Sequence, residues 1–267
     1  MITLFFFLFG IIIGSFLNVV ICRLQTDETL LGRSHCTKCQ RQIAWYDNVP
    51  VLSFLILRAK CRNCQEKISW QYPSVEMAVG VLFSLVGFYI FSLADISTWI
   101  ETVFYLGLFA MLMVIFMYDL LTMYIPMIMV WIALAWTVAY LAVSQWLFMQ
   151  YAVGVAPVDF VSFIASGVGA FLFFWFLVRV SHETWMGMGD AYLALLVGLV
   201  LGWPGVLWAM TLSFGSGAAI GLLLIAFGKK RMKSQVPFAP FMTIGIMLVV
   251  LLPKIFPALH SLMSIVE

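Results

Sequence analysis

Apolar segments about twenty residues long recur along the whole chain, and they constrain its fold more than any other feature. The first is ITLFFFLFGIIIGSFLNVVIC, and further segments lie at roughly 73–94, 100–121, 125–147, 160–180, 188–203, 204–227 and 240–262. An apolar helix of this length can cross the hydrocarbon core of a bilayer. Of the 267 residues, 64% are hydrophobic and 10% are charged, whereas soluble domains are about 25% charged. The sequence therefore predicts an all-α polytopic membrane protein with about eight transmembrane helices.

The basic residues predict how these spans are oriented. If there are eight spans, three loops on one side hold thirteen of the fourteen lysines and arginines: Arg23, Arg33, Lys38, Arg41, Arg58, Lys60, Arg62, Lys67, Arg179, Lys229, Lys230, Arg231 and Lys233. The opposite loops carry the acidic residues Asp95, Glu101 and Asp159. Because cytoplasmic loops are enriched in lysine and arginine, we expect the basic side in the cytoplasm and both termini outside.

The charge pattern also divides the chain into three parts. No basic residue precedes the first apolar run, so we interpret 1–22 as a retained transmembrane helix and not as a cleaved signal. Residues 23–72 form the long polar stretch and predict a small cytoplasmic module. The rest, 73–267, is predicted to be a seven-helix membrane domain, in which Trp203-Pro204-Gly205 makes a tight turn between two spans.

Four cysteines in the polar module have the spacing of a zinc site. Cys36, Cys39, Cys61 and Cys64 follow the pattern C-x2-C-x21-C-x2-C, in which each pair supplies two thiolates to one tetrahedron. Structural disulfides are not expected in the cytoplasm. We therefore predict a structural Zn²⁺ that helps to fold a module too small for a good core. Thiol redox chemistry and unmetallated cysteines remain the alternatives.

Two aspartates are placed at membrane depth. Asp119 lies near the end of the third span and Asp190 at the start of the sixth, so both should lie just under the cytoplasmic surface, on helices that can pack together. A carboxylate in an apolar helix costs about 3 kcal/mol, which makes it a functional hypothesis by default. Two adjacent carboxyl groups can share one proton, so that one takes a proton from water while the other donates to a carbonyl oxygen. This pattern predicts hydrolysis of a peptide bond.

Other interpretations of these residues stay open. Gly187 and Gly189 allow close approach of a substrate backbone beside Asp190, but Asp190 can also cap its helix, and Asp119 can face lipid headgroups. A proton- or cation-coupled transporter using both aspartates is the main alternative function, and their position near one face counts against it. A thiol oxidoreductase and a non-enzymatic assembly subunit are further alternatives, although a cytoplasmic location of the cysteines argues against the oxidoreductase.

Several longer motifs resemble those of a known family. The chain contains, in order, GSFLNVVICRL (14–24), the two CxxC pairs, WYDNVPVLSFL (45–55), YPSVE (72–76), YDLLTMYIP (118–126), GMGD (187–190) and PFAPF (237–241). Together they resemble the type IV prepilin peptidases, and they span nearly the whole chain.

The resemblance implies a bifunctional enzyme of the bacterial inner membrane. Such enzymes cleave the leader of type IV prepilins and pseudopilins on the cytoplasmic side, and then methylate the new N-terminus with S-adenosylmethionine. The two catalytic aspartates of the family correspond to Asp119 and Asp190, and its cysteines to Cys36, Cys39, Cys61 and Cys64. The expected partners are prepilins and the lipid bilayer, with no nucleic acid, and the oligomeric state is left open.

Some positions depart from the family pattern, and the methyl-transfer site is the least legible part of the sequence. Met127 follows Ile-Pro where the family often has Asp, Ala191 and Tyr192 follow the GxGD motif in place of a hydrophobic residue and Lys, and Ala239 replaces a glycine. No soluble nucleotide-binding fold is indicated. The candidates for binding methyl donor or substrate amine are Asp47, Asn48 and Glu76.

Overall fold

The computed structural model confirms an all-helical chain. It describes residues 1–26, 28–29, 31–151, 160–227 and 236–256, in which there are helices and isolated bridges but no extended strand. In chain order the helices are α1 (Ile2–Thr26), α2 (Leu52–Ile56), α3 (Gln71–Tyr89), α4 (Ile96–Thr122), α5 (Met127–Tyr151), α6 (Phe160–Ser181), α7 (Met188–Ala226) and α8 (Ala239–Ile255). The chain divides into two compact units, unit 1 at Met1–Ile90 and unit 2 at Phe91–Glu267.

Length and composition identify the helices that can cross a membrane. Six helices of the described chain are long and apolar enough to do so, namely α1, α3, α4, α5, α6 and α7. The α8 helix is equally apolar in character but has only 17 residues. The chain is therefore a multi-pass membrane protein, as the sequence predicts.

The α7 helix contains the chain reversal that the sequence predicts at residues 203–205. Gly202 has φ +62°, a left-handed value that glycine adopts without strain, and Trp203 has extended backbone angles. On one side of this break, Gly198 meets Gly167 of α6, whereas on the other side Phe214 stacks on Phe174, further along α6. The two halves, 188–201 and 204–226, therefore run in opposite directions along α6, and they account for the two spans that the sequence predicts there.

In unit 1, glycines allow α1 and α3 to pack closely. A Cβ atom on Gly10 would lie 2.7 Å from the Val79 carbonyl oxygen, and one on Gly14 would lie 2.7 Å from the Glu76 Cα. Both distances are shorter than real Cβ contacts, so larger residues would force the helices apart. Small residues at the contact between two membrane helices permit this close backbone approach.

In unit 2, α8 lies against both α4 and α7. Near its C-terminal end, Lys254 forms an ion pair with Glu101 of α4, with 3.2 Å between the charged atoms. Along its other face, the Ser213 hydroxyl of α7 donates to the Phe241 carbonyl oxygen at 3.1 Å. These contacts hold the N-terminus of α8 at the end of unit 2 where α4 ends and α7 begins.

Some sequence predictions fall outside the described residues. They concern the basic loop that contains Lys229, Lys230, Arg231 and Lys233, the acidic Asp159, and the end of the last span beyond residue 256. For these residues the predicted orientation of the spans rests on the sequence.

The close helix contact in unit 1 predicts a position-dependent cost for an added methyl group. We expect Gly14→Ala to lower the stability of the purified protein by about 1–3 kcal/mol, because overpacking forces shifts in the neighbouring backbone. The matched control is Gly169→Ala in α6, where a Cβ would meet no atom of the described residues within 4 Å. Thermal melting in detergent measures the effect, and equal melting temperatures for the two variants would contradict it.

Candidate active site and metal centre

Asp119 lies in the last turn of α4, where the helix ends in a left-handed residue. Met123 has φ +59°, and its N–H donates to the Asp119 carbonyl oxygen at 2.8 Å. The Asp119 side chain is only 4% exposed. Its Oδ2 atom is buried and has no hydrogen-bond partner among the described residues. A buried carboxylate oxygen without a partner is unfavourable for the fold alone, which is typical of a functional group.

Asp190 lies in the first turn of α7 and is 9% exposed. The Gly187 N–H donates to its Oδ2 atom at 3.2 Å. This hydrogen bond satisfies a backbone donor at the helix start, so Asp190 does cap its helix, as one interpretation of the sequence has it. The same bond fixes the direction of the carboxylate, so capping and a chemical role are compatible.

The two aspartates come together through the elements around them. The charge on Asp119 acts electrostatically on Asp190, and α5 and α8 each pack against both α4 and α7. The backbone N–H of Ala239, at the start of α8, faces the Asp119 carboxylate. A Cβ on Gly189 would lie 3.1 Å from the Ile125 side chain, just after α4. The α4 end and the α7 start are therefore in contact beside the carboxylates.

The sequence does not predict that the Ala239 N–H faces Asp119. The signal was the PFAPF motif, whose prolines flank a residue that begins a helix. The structure makes Ala239 a backbone donor, a role that alanine fills as well as the glycine that is common in the family. By contrast, among the described residues a Cβ on Gly187 would meet only the Gly189 nitrogen, at 4.0 Å. Close contact at this loop is therefore specific to Gly189.

The four cysteines of the CxxC pairs converge on one point in unit 1. All their Sγ atoms lie within 4.8 Å of one another, and Cys36 Sγ is 3.9 Å from Cys64 Sγ. Zinc–sulfur bonds of about 2.3 Å in a tetrahedron place the sulfurs about 3.8 Å apart. This donor set can therefore hold a metal ion. Hydrogen bonds from the backbone N–H groups of Cys64 and Asn63 lower the pKa of Cys61 to about 7, whereas burial and the neighbouring thiols raise the pKa of Cys64 to about 11, so without a metal the local environment favours the thiolate at Cys61.

The two cysteine loops have the same backbone pattern, 25 residues apart. In the first, the Cys36 N–H donates to the Arg41 carbonyl oxygen at 2.9 Å; in the second, the Cys61 N–H donates to the Glu66 carbonyl oxygen at 2.8 Å. Gln40 and Gln65, which follow the second cysteine of each pair, both have φ +58°. The loops are thus shaped by local hydrogen bonds to present two thiolates each.

The three candidates for the methyl-transfer site also lie in unit 1. Asp47 forms a two-point ion pair with Arg62, with distances of 2.8 and 2.6 Å, and this hydrogen bonding holds the Asp47 pKa below its usual value. Asn48 ends the short 3-10 turn at Trp45–Asn48 and is exposed. Glu76 is buried on α3 and accepts the Val51 N–H at 2.7 Å. The sequence does not predict this hydrogen bond between the Val51 N–H and the Glu76 carboxylate.

These observations define a class of protein: a multi-pass helical membrane protein with a buried pair of carboxylates in one unit and, in the other, a cluster of four cysteines that can hold a metal ion. Comparison with family models agrees with this description. The bacterial peptidase A24 N-terminal domain matches residues 8–90, and the type IV leader peptidase family matches residues 106–225.

Individual relatives are similar over most of the chain. A prepilin leader peptidase/N-methyltransferase of Myxococcus xanthus is 35% identical over 243 residues, which cover 87% of this chain and 66% of that protein. One of Vibrio cholerae is 32% identical, with coverage of 74% and 76%, and one of Stutzerimonas stutzeri is 29% identical, with coverage of 88% and 86%. No solved structure matches the chain. The chain belongs to the type IV leader peptidase family, which confirms the resemblance drawn from its motifs.

The cysteine geometry predicts metal binding. We expect the purified protein to carry about one metal ion per chain and Cys61→Ser to lose most of it, because three thiolates bind a tetrahedral metal more weakly than four. Cys22→Ser is the matched control, since Cys22 lies on α1 outside the cluster. Elemental analysis by plasma mass spectrometry gives the metal content, and equal loss in both variants, or none in either, contradicts the prediction.

Proposed function

We propose that this chain is a prepilin leader peptidase and N-methyltransferase of the bacterial inner membrane. Its relatives bear that name, and the chain covers most of the length of several of them. The substrates are type IV prepilins or pseudopilins, which are cut on the cytoplasmic side. The observation that carries the peptidase assignment is the pair of buried carboxylates, Asp119 and Asp190, at one end of unit 2.

Their arrangement suits the hydrolysis of an amide by a directly activated water molecule. With one proton shared between the two groups, the ionised carboxylate takes a proton from water as the water oxygen attacks the amide carbon. The protonated carboxyl group donates to the carbonyl oxygen, which stabilises the tetrahedral species without a covalent intermediate. As the C–N bond breaks and the carbonyl re-forms, the proton on the oxygen returns to its carboxylate, and the carboxyl group that took the proton from water passes it to the leaving amine nitrogen. The Gly187 N–H holds Asp190 in position, and the unpartnered Oδ2 of Asp119 is available to bind the water.

The peptidase site also fits the expected substrate. A prepilin has a short basic leader followed by an apolar helix, so the leader remains in the cytoplasm while the helix lies in the bilayer. The peptide bond between leader and helix then lies near the membrane surface. The distribution of basic loops predicts that the end of α4 and the start of α7 lie at the same depth. A glycine before the cut favours local unwinding of the substrate helix. Unwinding exposes the peptide bond, which must be accessible before it can be hydrolysed.

Unit 1 supplies the remaining parts of the proposal. Cys36, Cys39, Cys61 and Cys64 bind a structural Zn²⁺ in the cytoplasm, where the thiols stay reduced. S-adenosylmethionine supplies the methyl group when it is bound, and Asp47, Asn48 and Glu76 belong to its site or to that of the substrate amine. The chain's own contribution is to bind and orient both partners.

Substitution of either aspartate tests the peptidase assignment. We expect Asp119→Asn and Asp190→Asn each to lower cleavage of a prepilin by at least about a thousandfold. The asparagine side chain can neither take a proton from water nor donate one as an acid to the carbonyl oxygen of the substrate. Asparagine also caps helices, so Asp190→Asn should retain the fold. Electrophoresis or mass spectrometry of purified protein with a full-length prepilin measures the cleavage.

The matched control for both variants is Asp95→Asn at the other end of α4, where the side chain accepts the Ser97 N–H at 2.9 Å. It should cleave like the unsubstituted protein. If either Asp119→Asn or Asp190→Asn retains cleavage at the control rate, with its melting temperature preserved, the assignment is wrong.

The contact between Gly189 and Ile125 predicts a milder loss. We expect Gly189→Ala to lower the cleavage rate by about tenfold, because the new Cβ displaces the turn that carries Asp190, and small displacements of a reacting group are costly. Gly215→Ala is the control, since a Cβ there would meet nothing within 4 Å in the part of the chain that the structure describes. Steady-state cleavage kinetics compare the two, and equal kcat/KM values would refute the role of this contact.

A further inference from the structure

We propose that the short helix α2 of the polar module docks on the surface of an anionic bilayer. Its outer face, formed by Leu52, Leu55 and Ile56, lies among the upper acyl chains, and the basic residues that follow it meet lipid headgroups. The proposal goes beyond the proposed function, because it concerns how the module is held at the membrane and does not depend on either enzymatic activity.

The inner face of α2 packs against the module. Ser53 and Phe54 are both buried. The Ser53 hydroxyl donates to the Tyr46 carbonyl oxygen at 3.1 Å. The Phe54 ring contacts that of Trp70, with 4.9 Å between the ring centroids. Because these contacts fix the rotation of α2 about its own axis, they determine which of its residues face outward.

The outer face of α2 is apolar and exposed. Leu52, Leu55 and Ile56 have the i, i+3, i+4 spacing of one helix face, and their exposed fractions are 57%, 62% and 74%. Two large rings on segments that contact α2, those of Trp45 and Trp70, are also exposed. Single exposed apolar side chains are normal on a protein surface, whereas a group of large ones marks a docking surface.

Two contacts hold α2 beside the start of α3, one of the helices that can cross the membrane. The α2 helix begins after a left-handed turn at Val51, which has φ +60°, and the Val51 N–H donates to the Glu76 carboxylate of α3 at 2.7 Å. At the other contact, Phe54 packs on Trp70, which directly precedes α3. The outer face therefore lies near the point where α3 enters the bilayer, so lipid is within its reach.

Basic residues follow the outer face directly. Arg58 and Lys60 come after α2, and Lys67 pairs with Lys60 through an isolated antiparallel bridge. All three are exposed, and none of them forms an ion pair among the described residues. Cations close to a bilayer that contains anionic lipids are attracted to its headgroups. Apolar side chains flanked by cations are typical of a segment that lies in the membrane interface.

The charge of this segment favours lipid over the substrate as its partner. Residues 48–65 contain no acidic residue and include the basic Arg58, Lys60 and Arg62. The leader of the expected substrate is itself basic, so this segment repels it, whereas it attracts anionic headgroups. Docking on lipid is also intramolecular, because α1 and α3 hold the module at the membrane from both ends. A small apolar face is then sufficient.

Photo-crosslinking from position 55 of the full-length protein tests the inference. The photoreactive residue p-benzoylphenylalanine replaces Leu55, and the protein is reconstituted without prepilin in nanodiscs of phosphatidylcholine, with or without phosphatidylglycerol. Irradiation should give lipid adducts on α2, which mass spectrometry of its peptides identifies. The yield should be higher with phosphatidylglycerol. It should fall roughly fivefold there in Arg58→Gln/Lys60→Gln, because basic residues near an anionic surface strengthen binding, and change little in phosphatidylcholine alone.

The same probe in place of Gln65 is the control, because Gln65 is an exposed polar residue of the second cysteine loop. It should give few lipid adducts, and metal content reports that the module stays folded in every variant. Equal adduct yields from positions 55 and 65 overturn the assignment of a specific docking face. Equal yields from position 55 in the two kinds of nanodisc overturn the part assigned to the basic residues.

The cross-linked products also distinguish the other possible occupants of this face. Cross-links from position 55 to residues 91–267 or to a second chain, in place of lipid adducts, would show that protein covers the face and would overturn the proposal. The absence of any adduct would overturn it too, since the face would then lie in water. Because no prepilin is present, none of these results bears on the proposed peptidase activity.

Discussion

The cost of burying carboxyl groups among apolar helices is the constraint on which unit 2 depends. Asp119 and Asp190 are nearly inaccessible, yet among the described residues only one protein donor is identified for each: the Gly187 N–H for Asp190 and the Ala239 N–H for Asp119. Both donors are backbone groups at helix starts, where N–H groups otherwise lack partners. Two helix N-termini thus partly compensate two buried carboxylates. The carboxylate oxygens of Asp119 and Asp190 can therefore still accept hydrogen bonds from water and substrate.

Unit 1 contains a polar module that has little apolar core to hold it together. Its membrane helices approach closely because they carry glycines, and the approach brings Ser15 to Glu76 and, one helical turn away, Asn18 to Tyr72. Beyond the helices, local hydrogen bonds form the two cysteine loops, and a metal can bind four converging thiolates. A small polar module is thereby held by groups that need no large hydrophobic core.

Much of this arrangement is predictable from the sequence, for identifiable reasons. The apolar segments predict the helices because their length is matched to the bilayer, and the CxxC pairs predict a convergent cluster because zinc geometry limits their spacing. Pairwise helix packing is less accessible: the sequence places Asp119 and Asp190 on helices that can pack together, but it does not predict that α5 and α8 each pack against both α4 and α7. The Ala239 N–H and the Val51 turn were missed because backbone donors leave almost no trace in residue identities.

The reversal at Gly202 has a consequence for the way the membrane domain is made. A helical hairpin crosses the bilayer and returns, so it leaves unchanged the sidedness of everything translated after it. The 188–201 and 204–226 halves run in opposite directions along α6, so α7 begins and ends at the same end of unit 2. The start of α8 then emerges on the same side as Asp190, although some fifty residues were synthesised in between. The reversal thereby places the start of α8, whose Ala239 N–H faces Asp119, beside the start of α7, which carries Asp190.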